Sequence, residues 1–250
     1  MLSLWAKTSG TWINVLTIIL GTSLGLVVRR SLPSTMQHII TQALGLTTIM
    51  LGIGMGQSLA RVRVGPIDGV IFGLVVLVAG GLLGEWCQLQ DRLAQLGDWL
   101  RSQVQGGGKF TEGFVAASLL FCIGPMAILG SLNNGLVGDA TLLSLKATMD
   151  GLASIALTGN YGVGVGFSAL PVLLVQGGLS LLASLSGLAI TNPATNSYIL
   201  SITGIGGLMI MALGLDLLQV VQIRLASFLP ALALAPLAIA LVTACYSQGG

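Results

Sequence analysis

Lys146 and Asp150 stand four residues apart inside an otherwise apolar stretch, residues 141–158. On a helix that spacing sets both on one face, where an ammonium and a carboxylate pair and each lowers the cost of burying the other. Two roles suit such a pair: a cation or proton site that opens when the pair breaks, or a structural bridge at the rim of a short helix. Upstream, Gly124-Pro125 interrupts an apolar run, residues 110–131, that also carries Ser118, Cys122 and Ser131. Proline removes a backbone donor and clashes with the preceding turn, so a helix there kinks or breaks. Carbonyls freed by the break can hold a cation or polar solute; alternatively a neighbouring helix satisfies a simple kink. Gln176, followed by Gly177 and Gly178, is polar in the middle of another apolar run. It suits a ligand contact or a hydrogen bond between helices. Asn133, Asn134 and Asp139 fall in a Gly/Asn-rich turn expected over residues 132–139, with Asp139 placed to cap the helix that follows. Glu112 and Asp216 stand near the ends of apolar runs and His38 in a loop, all three interfacial positions.

No enzyme constellation accompanies these groups. The chain lacks HExxH, GxSxG and Walker A patterns, and no carboxylates cluster as metal ligands. One histidine excludes a multi-histidine metal site. Cys87, Cys122 and Cys245 are scattered, without CxxC spacing or the density of a disulfide scaffold. Cys122 has no histidine nearby in sequence to activate it. Neither a catalytic residue, a metal nor a cofactor is expected.

What must position the polar groups is a set of hydrophobic helices. Of 250 residues, 54% are apolar and only 7% are Asp, Glu, Lys or Arg, where a soluble domain carries about 25%. The mean hydropathy is +0.95. A water-soluble fold of this size has too few charges here to cover its surface; a bilayer removes that need. The net charge of +2 is too small to argue for a nucleic-acid partner. No polar stretch is long enough for a separate soluble domain, so residues 1–250 read as one membrane domain. Only Lys7 precedes the first apolar run, and no small-residue cleavage pattern follows it, so that run reads as a retained span.

A spanning helix needs about 20 mainly apolar residues, and lipid offers backbone groups no partner outside the helix. Spans are expected over residues 12–28, 39–60, 67–83, 110–131, 161–188, 198–218 and 225–245. Residues 141–158 form either a short eighth span or a re-entrant half-helix. Residues 86–105 differ. Trp86, Leu89, Leu93, Leu96, Leu100 and Val104 recur at steps of three or four, with Asp91, Arg92, Asp98 and Arg101 opposite. This is an amphipathic helix suited to the membrane interface, and Gly106-Gly107-Gly108 ends it. Asn192-Pro193 marks a turn.

Two stretches about 160 residues apart read alike. Gly-Leu-Thr-Thr-Ile-Met-Leu-Gly-Ile-Gly begins at Gly45, and Ile-Gly-Gly-Leu-Met-Ile-Met-Ala-Leu-Gly-Leu begins at Ile205. Either the chain repeats, with three-helix copies in residues 1–85 and 161–250 flanking an interfacial helix and linker (86–109) and central broken helices (110–160), or Gly/Leu-rich helices simply look alike. In an eight-span arrangement Arg29, Arg30, Arg92, Arg101, Lys109 and Arg224 fall on one side, and Lys7, Arg61 and Arg63 on the other. The positive-inside rule then favours an outside N-terminus and inverted copies, an architecture shared by many secondary transporters; in a seven-span arrangement Arg224 changes sides, the bias almost disappears and the copies are parallel. Pairs such as Gly21/Gly25 and Gly52/Gly56 permit close packing of helices or a homo-oligomer.

Longer stretches carry a resemblance. They are Glu112-Gly113-Phe114-Val115, Ala117 to Cys122, Gly124, Met126-Ala127-Ile128 and Gly130-Ser131-Leu132. Next come Gly135-Leu136, Gly138-Asp139, Lys146, Asp150-Gly151, Phe167-Ser168, Pro171-Val172-Leu173 and Gln176-Gly177. Arg92-Leu93 and Leu96 to Leu100 fit as well. With these the chain resembles the bacterial membrane family known as domain of unknown function 554, the YdfK/YqgA-like proteins. The resemblance covers nearly the whole chain and is most specific over residues 110–178. It implies a multi-pass inner-membrane protein with no activity to carry over. It also implies that Glu112, Ser118, Cys122, Ser131, Asp139, Lys146, Asp150, Ser168 and Gln176 recur in the family. Pro125 and Asn134 stand where Ala and Asp are expected.

The expected fold is thus an all-α polytopic bundle of seven or eight spans with one interfacial amphipathic helix. The expected function is a secondary transporter or channel for a small solute or ion. Asp150 would bind the cation or proton and Lys146 would neutralise it in the empty state, with Ser118, Ser131 and Gln176 as polar contacts. A membrane scaffold or regulatory partner is the second class and an intramembrane enzyme the third.

Overall fold

The structure, a computed structural model, describes residues 3–31, 33–104, 107–186 and 196–247. The turn expected at Asn192-Pro193 and the first glycine of the Gly106-Gly107-Gly108 break lie outside these. Helices dominate: α1 (Leu4–Ser31), α2 (Ser34–Gly56), α3 (Gly69–Trp86), α4 (Leu89–Gln103), α5 (Phe110–Cys122), α6 (Pro125–Val137), α7 (Thr141–Tyr161), α8 (Gly164–Phe167), α9 (Ala169–Ser186), α10 (Ser197–Leu217) and α11 (Leu229–Ser247). A two-stranded hairpin, β1 (Arg63–Val64) with β2 (Ile67–Asp68), precedes α3. Among the described residues six helical stretches are long and apolar enough to cross a membrane, and the α5–α6 pair, bent by 60°, makes a seventh if it is one span. The fold is an all-α polytopic bundle. Although α7 has 21 residues, about 31 Å at the helical rise, Lys146, Asp150 and its hydroxyl residues lower its hydropathy below that of the six.

Two expectations change. The stretch 132–139 is not a turn: α6 continues to Val137, and only Gly138, Asp139 and Ala140 connect it to α7. Asn134 is fully buried in α6, accepting from the Gly10 N–H at 3.0 Å and donating to the Ala6 carbonyl at 3.0 Å. Those contacts to α1 override the turn preference of Gly and Asn. His38 lies within α2 rather than in a loop and is exposed there.

The chain divides into two compact units, Met1–Leu44 with Ala94–Ala189, and Gly45–Leu93 with Ile190–Gly250. In the first, α1 lies along α7, close enough that a side chain at Gly21 would strike the Gly151 carbonyl and one at Gly25 the Thr158 side chain. Helix α9 meets α6 the same way, with Gly135 against the Ser180 carbonyl. Phe110, Phe114, Phe121, Leu143 and Leu157 fill the interior. Helix α5 stops at Gly124, whose φ of 150° suits glycine, and Pro125 opens α6 as the first residue of a helix, where its missing N–H costs nothing. Helix α7 ends at Gly162, with φ 81° and the Arg29 guanidinium lying where a side chain would stand. A cation suits a helix C-terminus.

In the second unit α2 and α10 run antiparallel along a seam of glycines. Gly45 faces the Gly214 carbonyl, and Gly52 faces the Gly207 carbonyl and Met211. Leu59 wedges against Gly73 and Gly204. Helix α3 packs on α11 through Gly80 against Ala231, and Gly84 lies against the Ser227 carbonyl. Helix ends are capped: Asp68 accepts from Val70 N at 2.9 Å, and Asn196 from Tyr198 N and Ile199 N. Arg224 ties α3 to the start of α4 through Glu85 (3.0 Å) and Asp91 (2.8 Å).

Candidate functional site

The first unit buries a polar cluster among α1, α7 and α9. Lys146 Nζ donates to Asp150 Oδ2, one turn along α7, as the four-residue spacing requires. Both residues are only 6% exposed. Asn14 of α1 adds a second donor to the same oxygen, Nδ2 to Oδ2 at 2.9 Å. The Asn14 Nδ2 group also donates to Gln176 Oε1 of α9 at 3.2 Å. Asn14 and Gln176 have no exposed surface. On its other side Lys146 Nζ lies 5.9 Å from the centroid of the Phe121 ring, whose face attracts a cation.

Charge balances inside this cluster. A buried carboxylate is tolerated when an ammonium and further donors satisfy it, and Asp150 has both. Three polar atoms nearby lack any hydrogen-bond partner among the described residues: Asn14 Oδ1, Gln176 Nε2 and Thr11 Oγ1, one turn before Asn14 on α1. Along α7 the polar face continues at four-residue steps through Ser154 and Thr158, both fully buried. Ser154 Oγ donates to the Asp150 backbone carbonyl at 2.8 Å, while Thr158 Oγ1, and Thr22 Oγ1 on α1, have no partner.

A groove of about 510 Å³ opens between α1 and α9, walled by Trp5, Thr8, Thr11 and Trp12 on one side and by Leu173, Gly177 and Leu181 on the other. The Trp5 and Trp12 rings stack at 6.1 Å. Thr11 and Gly177, which line it, adjoin Asn14 and Gln176 on their helices.

Of the residues singled out in sequence, Lys146, Asp150 and Gln176 come together. Cys122, a half-buried free thiol, lies within electrostatic reach of Lys146 and Asp150. Ser131 is near by way of α9: its carbonyl accepts from Ser180 Oγ at 3.0 Å, and its own hydroxyl donates to the Ala127 carbonyl. Ser118 and Ser168 are buried but donate back to their own turns, to Phe114 O at 2.5 Å and Val165 O at 2.6 Å. Gly124 and Pro125 form the α5–α6 break. Glu112 is exposed in the first turn of α5. Asp139 is exposed too, and its carboxylate accepts from Thr141 N at 2.9 Å at the start of α7. Among the described residues no group of three or more His, Cys, Asp or Glu is placed to hold a metal ion.

Sequence reasoning missed Asn14. Its signal was an amide alone in an apolar span, and a separation from Gln176, its hydrogen-bond partner, of 162 residues, the distance at which the chain reads alike.

The family model described as "Protein of unknown function (DUF554)" matches residues 9–240. The chain belongs to that family. The match takes in Asn14, Lys146, Asp150 and Gln176, and agrees with the resemblance carried by residues 110–178. The chain is similar to "Uncharacterized membrane protein YdfK" of Bacillus subtilis (strain 168), 32% identical over 236 residues, 94% of this chain and 97% of that protein. It is also similar to "Uncharacterized protein YqgA" of Escherichia coli (strain K12), 28% identical over 232 residues, 90% of this chain and 94% of that one. No solved structure matches. With six helices long and apolar enough to cross a membrane among the described residues and this kinship, the chain is a multi-pass membrane protein of the DUF554 family.

Proposed function

We propose that this DUF554 protein is a secondary transporter or channel for a small solute or ion in the bacterial inner membrane, without enzymatic turnover. One observation carries the reading: α1, α7 and α9 bury a charge-balanced pair and two amides that still have hydrogen-bonding capacity to offer. Ionisable groups at membrane depth are costly and mark solute or ion paths. Asp150 takes a cation or proton, and Lys146 neutralises it when the site is empty.

Support for two inverted copies comes from spacing. Asn14 and Gln176 are 162 residues apart and hydrogen-bonded. The same interval separates Gly45 from Gly207 and Gly52 from Gly214, the four glycines of the α2–α10 seam. It also carries the bounds of α2 onto α10 and of α3 onto α11 within two residues. Because α2 and α10 run antiparallel, copies that contain them are inverted if both helices cross the bilayer, as in alternating-access carriers.

The test is transport in proteoliposomes across a panel of ions and solutes. Uptake lost in Asp150→Asn and Lys146→Ala, with both variants still folded, is the expected result; uptake unchanged in both defeats the site assignment. A second reading, a scaffold or regulatory partner, is favoured by Gly54 and Gly178, which have open space where a side chain would stand. Small residues left uncovered within spans suit a docking helix. That reading expects a co-purifying partner and no solute uptake.

A further inference from the structure

The two amides at this site are oriented, and their orientation selects a ligand. Asn14 must turn its nitrogen to the Asp150 carboxylate, since a carboxylate accepts and does not donate. The flipped rotamer would set oxygen against oxygen. That choice leaves Asn14 Oδ1, an acceptor, as the atom without a partner. Gln176 must in turn present Oε1 to the second Asn14 N–H, which leaves Gln176 Nε2 with two donors unmet. Neither of these two atoms has a partner among the described residues, and both residues are fully buried. The assignment usually ambiguous for an amide is here fixed in series by one carboxylate.

What remains is one unmet acceptor and one unmet donor on two amides bonded to each other, next to a paired lysine and aspartate. A bare cation would find Asn14 Oδ1 but would add a net charge beside Lys146; a bare anion would find Gln176 Nε2 but would add one beside Asp150. Uncompensated charge in a buried site is strongly disfavoured. A molecule of zero net charge that carries both a donor and an acceptor can meet both amides without that cost. We propose that the Asn14–Gln176 pair recognises a small neutral solute of the carboxamide or urea class, reached through the α1–α9 groove past the Thr11 hydroxyl. This rests on the transporter reading and, at the same site, replaces the cation at Asp150 by a neutral solute at the amides, with the Lys146–Asp150 pair left closed.

The test is calorimetric titration of the purified protein in detergent with acetamide, urea and glutamine, against potassium chloride, sodium acetate and methylammonium chloride. Saturable binding is expected for the amides and not for the salts, weakened at least tenfold by Asn14→Leu and by Gln176→Leu. Gln176→Glu guards against variants that merely misfold: it keeps the size but replaces the unmet donor by an acceptor. It should lose acetamide and gain methylammonium, a gain that unfolding cannot imitate. Wild-type binding of a salt ion but of no amide overturns the proposal and leaves the transporter reading standing. Amide binding indifferent to Asn14 and Gln176 also overturns it. Binding of nothing on the panel, joined to an absence of uptake in proteoliposomes, removes both.

Discussion

Removing the Lys146 ammonium leaves the Asp150 carboxylate buried with a single amide donor. Lys146→Met should therefore destabilise the protein by about 3–5 kcal/mol, the usual cost of breaking a buried pair from one side. The double variant Lys146→Met/Asp150→Leu should recover most of the loss, because two apolar side chains leave no charge behind. Thermal melts in detergent compare the two, and a harmless single variant would mean the carboxylate is solvated or already protonated. Asp139 behaves differently because it is exposed. Hydrogen bonds from Thr141 hold its carboxyl below the usual carboxylate range. A depressed carboxylate stabilises the fold above its unfolded value, about 3.9, and that stability is lost as pH falls through the folded value. The melting-temperature gap between wild type and Asp139→Ala should thus be small at pH 6 and close below about pH 4. Lys146, Asp150 and Gln176 were legible because charge and amide stand out in apolar runs. Asn14 was not, since one polar residue hardly alters the hydropathy of a span. Asn134 misled because a turn-forming residue type had found its partners on α1, 124 residues away.

At the scale of elements, glycines decide which helices can touch. Gly52→Leu would drive its side chain into the Gly207 carbonyl and Met211, whereas Gly54, two residues on, has nothing within 4 Å. The first substitution should cost on the order of 1–3 kcal/mol or more from overpacking, and Gly54→Leu close to none. Equal melting temperatures for the two would deny the seam. Helix positions were readable from apolar runs, and the α5–α6 break from Gly124-Pro125. The β1–β2 hairpin was not: two residues per strand show no alternation, and only Gly65-Pro66 signalled a turn. Nor was the length of α6, because Gly135, which looked like a turn residue, is the position where the Ser180 carbonyl needs a helix without a side chain.

For the molecule as a whole, the number of crossings turns on α5–α6. Hydropathy could not decide it, since a bent pair passes as one span or returns to the side it entered. Lys109 and Asp139 flank the pair, and both are exposed. In a background lacking Cys87, Cys122 and Cys245, cysteines placed at those positions should react with membrane-impermeant maleimide from opposite sides, as a single bent span requires. Labelling from the same side would make the pair re-entrant. The hydrogen bond from Asn14 to Gln176 has a historical meaning if the chain holds two copies. A residue bonded to its own counterpart is what a homodimer places on its dyad. Once two genes for such halves fuse, each half can vary alone, and an asparagine facing a glutamine is the mark of that freedom. Lys146 and Asp150 stand between the two copies and have no counterpart at that interval, so the joined chain buries one charged pair where its symmetry alone would supply none.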